Sequence, residues 1–212
     1  MGAKCGEPAS ALALWTDPRV PPIGPNVQRA HSRLGGALGR FTMGLTGWRF
    51  EGGVPDVRKM VLIVAPHTSN WDFPVGLQAK LALRIGCTFI GKHTLFRWPL
   101  GVFMRWLGGI PVNRKAAAGF VSEVAGALRA ADRMTVVIAP EGTRRRVEQW
   151  KSGFYRIAVE AGAPILPVGF DYPRRVVFFA PLFHPTGDYD KDLAELRALY
   201  RPEMGFKPSN YS

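Results

Sequence analysis

The chain has 212 residues, 47% of them hydrophobic, and carries a formal net charge of +12. That composition excludes a disordered chain and suits one domain with its own core, while the charge points to an anionic partner. Two cysteines, Cys5 and Cys87, exclude a disulfide framework and a cysteine metal site, and fit a reducing compartment. No uninterrupted apolar run reaches the roughly 20 residues of a membrane span.

Residues 1–29 carry clustered prolines, as in DPRVPPIGP, and read as an extended or mobile N-terminal arm. The start lacks the apolar core of a signal peptide, and Gly6 stands where a myristoylation signal has Ser or Thr. Residues 31–50 read as an amphipathic helix, because Leu34, Leu38, Phe41, Leu45 and Trp48 recur at spacings of four and three. Each glycine weakens such a helix in water by roughly 1 kcal/mol relative to Ala, so it needs a surface. Packing on the domain's own core is the preferred reading. The other is a helix lying on lipid, with Arg33, Arg40 and Arg49 near the headgroups.

From residue 60 onward strand and helix patterns alternate. Strands are predicted at 60–65, 87–91, 110–112, 134–139, 165–170 and 176–180. Helices are predicted at 71–86, 96–108, 118–132, 151–162 and 192–200. Strands apolar on both faces, alternating with helices, predict an α/β fold: a single domain over 30–212 with a mostly parallel central sheet flanked by helices.

In such sheets ligands bind beyond the carboxyl ends of the strands. His67 follows VLIVAP and Glu141 follows VVIAP, so both are placed there. On a regular helix the step from His67 to Asp72 is a rotation of about 500°, which separates the side chains. They meet if His67 lies in the turn and Asp72 in the first helical turn, with Ser69 or Asn70 as N-cap. The carboxylate then holds one imidazole nitrogen and leaves the other as a base. The bland alternative is an Asp that complements the helix dipole beside a turn histidine. In APEGTRRR (139–146), Gly142 permits close backbone approach and Arg144 offers a planar fork for phosphate; Arg145 and Arg146 read as solvated. Arg114, after GGIPVN, is a second candidate anion ligand or else simply solvates a strand edge. GCTFIGKH (86–93) approaches a phosphate loop, but His93 replaces the hydroxyl and the glycines bracket a strand, so nucleotide hydrolysis is set aside.

Four stretches in order, HTSNWD (67–72), GKHTLFRWPLGVFMRWLGGIPVNR (91–114), PEGTR (140–144) and APILPVGF (163–170), resemble the four blocks of the PlsC-like glycerolipid acyltransferases. The resemblance implies an O-acyltransferase that moves an acyl group from acyl-CoA or acyl-carrier protein to a hydroxyl of a lysophospholipid-like acceptor. 1-Acylglycerol-3-phosphate is the default acceptor, with another lysolipid or a lipid-like amino-acid conjugate left open. It implies His67 and Asp72 as the catalytic pair, and Arg114 and Arg144 on the acceptor phosphate. Glu141 and Gly142, with Thr143 in the same block, would lie at its glycerol part. Backbone N–H groups near the helix start, with Lys92 as a helper, would stabilise the oxyanion, and Pro167 would shape the pocket. No cofactor and no metal are implied. Ala139 and Asn113 depart from the family pattern, which commonly has an aromatic residue and an Asp there.

The substrates imply a cytoplasmic protein peripherally associated with an anionic membrane surface. LFRWPLGVFMRWLGGI interleaves Phe96, Trp98, Phe103 and Trp106 with Arg97 and Arg105, a mixture suited to the headgroup boundary or equally to a core helix with two exposed arginines. A basic nucleic-acid-binding module is a rival reading, but no zinc-finger spacing or aromatic RNA-binding signature is present, and no nucleic-acid partner is expected. A thioester or lipid hydrolase is the other rival; it lacks a G-x-S-x-G elbow.

Overall fold

The computed structural model describes residues 20–30, 32–112 and 117–211. Residues 1–19 of the predicted arm and Arg114 lie outside that range. The described end of the arm lies against the domain: Val27 is fully buried and Arg29 bridges Ile85.

Seven strands form one sheet in the order β1-β7-β6-β2-β5-β3-β4. They are β1 (Arg49–Glu51), β2 (Lys59–Val64), β3 (Thr88–Lys92), β4 (Gly109–Val112), β5 (Met134–Ile138), β6 (Ile165–Asp171) and β7 (Val176–Phe179). The run β6-β2-β5-β3-β4 is parallel throughout, while β7 returns antiparallel to β6 through a tight turn and carries β1 parallel beside it. The helices are α1 (Arg33–Thr46), α2 (Asp72–Leu83), α3 (Leu100–Trp106), α4 (Ala117–Ala130), α5 (Gly153–Ala161) and α6 (Tyr189–Arg197). The mostly parallel α/β architecture expected from the alternating pattern is the one observed.

The period of two along the central strands divides the core between the sheet faces. Val61 and Ile63 of β2 join Val136, Ile165, and residues of α4, α5 and α6 such as Leu128, Phe154 and Leu196. Met60 and Leu62 face the other way, toward Leu166, Val168 and Phe170 of β6 and Val75, Ala79 and Leu83 of α2. Both layers are built of buried apolar side chains, and the register of the strands sets the height of each strand end relative to its neighbours.

Three local expectations are corrected. The helix predicted over 31–50 stops at Thr46, where Gly47 takes a left-handed φ of 72°, and the chain turns into β1. Trp48 is therefore outside the helix, and its ring packs edge-on against Phe170 and Tyr172. The apolar stripe on α1 does not pack on the core either: Leu34, Leu38, Phe41 and Leu45 are 56–86% exposed. The opposite face, with Gly36, Gly39 and Met43, is the buried one. A Cβ at Gly39 would come within 2.3 Å of the Ala82 backbone nitrogen, so the glycines let α1 approach α2 backbone to backbone. Finally, the helix predicted over 96–108 is split into a 3₁₀ turn (His93–Phe96) and α3, because Pro99 has no N–H to donate and sits at the N-cap.

Candidate active site

β2 and β5 are neighbours in register, with Ile63 opposite Ile138. His67 and Glu141 follow those residues by four and three positions, so the two loops emerge side by side at the carboxyl rim. The His67 Nδ1–H donates to Asp72 Oδ2 at 3.0 Å. Nδ1 thereby faces the carboxylate, and Nε2 is the nitrogen turned from it. A quarter of the His67 side chain reaches solvent, whereas the Asp72 side chain is 2% exposed.

Asp72 is the first residue of α2 and is held on both oxygens. Oδ2 also accepts the Ser69 N–H at 3.0 Å, and Oδ1 accepts the Tyr172 hydroxyl at 2.8 Å. The residue preceding the helix is Trp71, which makes no side-chain cap, in place of the predicted Ser69 or Asn70. Ser69 spends its hydroxyl on the Trp71 N–H instead, closing the small turn that brings the imidazole over the carboxylate.

Glu141 lies beneath this turn and is fully buried. Its Oε1 accepts the His67 backbone N–H at 2.8 Å, and its Oε2 has no hydrogen-bond partner among the described residues. Burial pushes the Glu141 carboxyl up to about 7, against the pull of the His67 N–H, the imidazole and Arg197. Gly142 holds a left-handed φ of 63°, which an L side chain adopts only with strain, and this reverses the loop over Lys151. Thr143 caps the following turn weakly through the Arg145 N–H, and Arg144 reaches across to the side-chain oxygen of Asn70. The HTSNWD and PEGTR loops are thus tied at two points, and the Arg144 guanidinium is exposed beside the imidazole turn. Arg145 and Arg146 are exposed as well.

The remaining predicted residues lie farther off. Lys92 ends β3, two strands from β2, about 10 Å along the sheet. Pro167 lies inside β6, a strand buried along its whole length, opposite Ile63. Arg114 falls outside the described residues. Near the start of α2, the N–H groups of Ser69, Trp71, Asp72 and Phe73 already have internal acceptors, at 3.0–3.4 Å. Those donors, assigned to the oxyanion from the resemblance, are therefore engaged. No group of three or more metal-ligating side chains occurs among the described residues.

Sequence reasoning missed Tyr172. It follows β6 by one residue and meets Asp72 across a hundred positions. A tyrosine just past a predicted strand end on the ligand side was the one available signal.

The chain is 30% identical to the 1-acyl-sn-glycerol-3-phosphate acyltransferase of Escherichia coli over 114 residues, half of this chain and 45% of that one. It is 35% identical to the human 1-acyl-sn-glycerol-3-phosphate acyltransferase beta over 134 residues, 58% of this chain and 46% of that one. The chain spans about half the length of these curated relatives. The crystal structure of PlsC, the 1-acyl-sn-glycerophosphate acyltransferase of Thermotoga maritima, superposes with a TM-score of 0.59 at 21% identity, over 79% of this chain and 75% of that one, and so shares the fold. The Acyltransferase family model matches residues 51–171, more than half of the chain and a range that holds all four sequence blocks, and the protein belongs to that family.

Proposed function

We propose that this protein transfers an acyl group from an acyl thioester, acyl-CoA or acyl-carrier protein, to a hydroxyl of a lysophospholipid-like acceptor, with 1-acylglycerol-3-phosphate the first candidate. The observation that carries the reading is the imidazole–carboxylate pair at the sheet rim, His67 Nδ1 to Asp72 Oδ2 at 3.0 Å. With Nδ1 so held, Nε2 accepts the acceptor's hydroxyl proton as its oxygen attacks the thioester carbonyl carbon. Removal of the proton accompanies attack, because a free alkoxide is too basic to form at neutral pH. Asp72 stabilises the imidazolium that results. The C–S bond then breaks, and the imidazolium returns its proton to the departing thiolate. No acyl-enzyme is required. Arg144, fixed beside the turn, supplies charge for the acceptor phosphate, with Arg114 as its partner in that role. Lys92 is carried over from the sequence reading as a helper toward the carbonyl oxygen.

The acceptor is a lipid, and the molecule offers a face for an anionic membrane. Leu34, Leu38, Phe41 and Leu45 of α1 and Trp98, Val102, Phe103 and Trp106 around α3 are exposed. Arg33 and Arg97 flank them, also exposed, in a protein of net charge +12. No helix among the described residues is long and apolar enough to cross a membrane. The exposed apolar and basic surface supports a peripheral association with the cytoplasmic side of a membrane.

The test is a matrix of acyl thioesters against lysolipids with product identification by mass. Acceptor-dependent thioester loss is expected, and acceptor-independent loss favours a hydrolase. His67→Ala should lower kcat by about a thousand-fold with the fold intact. Near-normal turnover in that variant refutes the assigned chemistry.

A further inference from the structure

The final turns of the chain lie outside the region matched by the family, yet they contact the turn that carries the imidazole. After α6 two short 3₁₀ turns follow, Pro202–Met204 and Pro208–Asn210. The Lys207 N–H donates to Thr68 Oγ1 at 3.2 Å, and Asn210 Nδ2 donates to the Thr68 carbonyl oxygen at 3.2 Å. Thr68 is the residue after His67 and is 1% exposed. A Cβ at Gly205 would stand 2.9 Å from the Thr68 side chain, so this strap sits directly on the turn.

The same strap fixes Tyr172. The Tyr172 N–H donates to the Met204 carbonyl oxygen at 2.9 Å. Its ring meets Phe206 edge-on at 5.2 Å between centroids, and Trp48 at 5.1 Å on another side. Held among these groups, its hydroxyl donates to Asp72 Oδ1 at 2.8 Å.

We propose that Tyr172, set by the C-terminal strap, is a positioning residue for the His67–Asp72 pair. This rests on the acyl-transfer reading of that pair. Without the phenol, Asp72 would be held on Oδ2 alone, by the Ser69 N–H and the imidazole, and its buried Oδ1 would lose the bond that limits rotation about Cβ–Cγ. The phenol removes that freedom, and Oδ2 then stays aligned with imidazole Nδ1 through the reaction. Burial and the neighbouring Asp72 charge push the Tyr172 phenol well above its ordinary range, so it remains a donor wherever the enzyme works. Because Tyr172 acts through Asp72, it alters the rate of the chemical step and leaves acceptor binding to Arg144 and its neighbours.

Tyr172→Phe keeps the ring and its packing and deletes the hydroxyl alone. In the full chain it should lower kcat about ten-fold with KM unchanged. Imidazole ¹⁵N–¹H spectra provide a readout that needs no substrate, and His67→Ala assigns the resonance among the chain's four histidines. Wild type should show the Nδ1–H tautomer; Tyr172→Phe should shift or broaden that signal while the variant remains folded, with a modest loss of thermal stability from the unsatisfied Asp72 Oδ1. A variant with a kcat within about two-fold of wild type and an unaltered His67 spectrum overturns the proposal. Should His67→Ala itself remain active, the acyl-transfer reading falls, while the spectrum still decides whether Tyr172 orders the pair.

Discussion

At the scale of the residue, Glu141 has the least ordinary surroundings in the site. Its carboxyl is fully buried and spends one oxygen on the His67 backbone N–H. Its folded-state proton affinity, about 7 against an ordinary 4.5, exceeds that of the unfolded chain. Below the lower value both states are protonated and Glu141 imposes no penalty. Between the two values the folded state keeps a proton that the unfolded state has released, so stability falls as pH rises and levels off above about 7. The fall amounts to roughly 3 kcal/mol. Glu141→Gln retains an acceptor for His67 and should remove that slope. Urea unfolding of both proteins at about pH 5 and about pH 8 measures it, and equal slopes would show that burial does not perturb this carboxyl. The pairing of His67 with Asp72 was legible in the sequence because both lie in one six-residue stretch whose turn chemistry is local. The support from Glu141 and Tyr172 was not, since those contacts join residues 74 and 100 positions apart. The sequence block that contains Glu141 pointed to the acceptor's glycerol, and only packing reveals a side chain with no path to solvent.

At the scale of the element, α1 shows how a helix is misread by its large residues. The period of Leu34, Leu38, Phe41 and Leu45 is real, but periodicity identifies a face without saying what covers it. Glycine carries no hydropathy signal, so the face that packs is silent in the sequence. Two substitutions should separate the faces. Gly39→Ala drives a methyl into the α2 backbone and should cost about 1–3 kcal/mol. Gly44→Ala, on an exposed turn of the same helix, should stabilise by about 0.5–1 kcal/mol through helix propensity. Denaturant midpoints give both signs, and a loss at both positions would mean that α1 packs on more than its buried stripe. The strand β1 escaped notice for a simpler reason: three residues are too few for a period of two to register. The strands β2, β5 and β6 were legible because burial on both faces leaves continuous apolar runs.

At the scale of the whole molecule, charge and exposed apolar surface act together. Replacing Leu38 and Phe41 with Asp should reduce binding to vesicles rich in anionic lipid, while urea unfolding stays near wild type because both side chains already face solvent. Raising the salt should weaken the wild type's binding to anionic vesicles, since exposed charges are screened within about 10 Å at 0.1 M. Binding that is equal on neutral and anionic vesicles would remove the electrostatic part of the proposal. One turn in the sheet also has a reach that its size conceals. Were β6 followed by another crossover helix, the chain would leave the carboxyl rim at once and re-enter from the far end, carrying Tyr172 toward the helix layer. The hairpin into β7 reverses direction within a few residues, with Arg175 in a left-handed conformation closing it. The change of strand direction after β6 is thus what keeps an aromatic hydroxyl at the mouth of the sheet, and an insertion in that reversal would unseat it without touching any of the four sequence blocks.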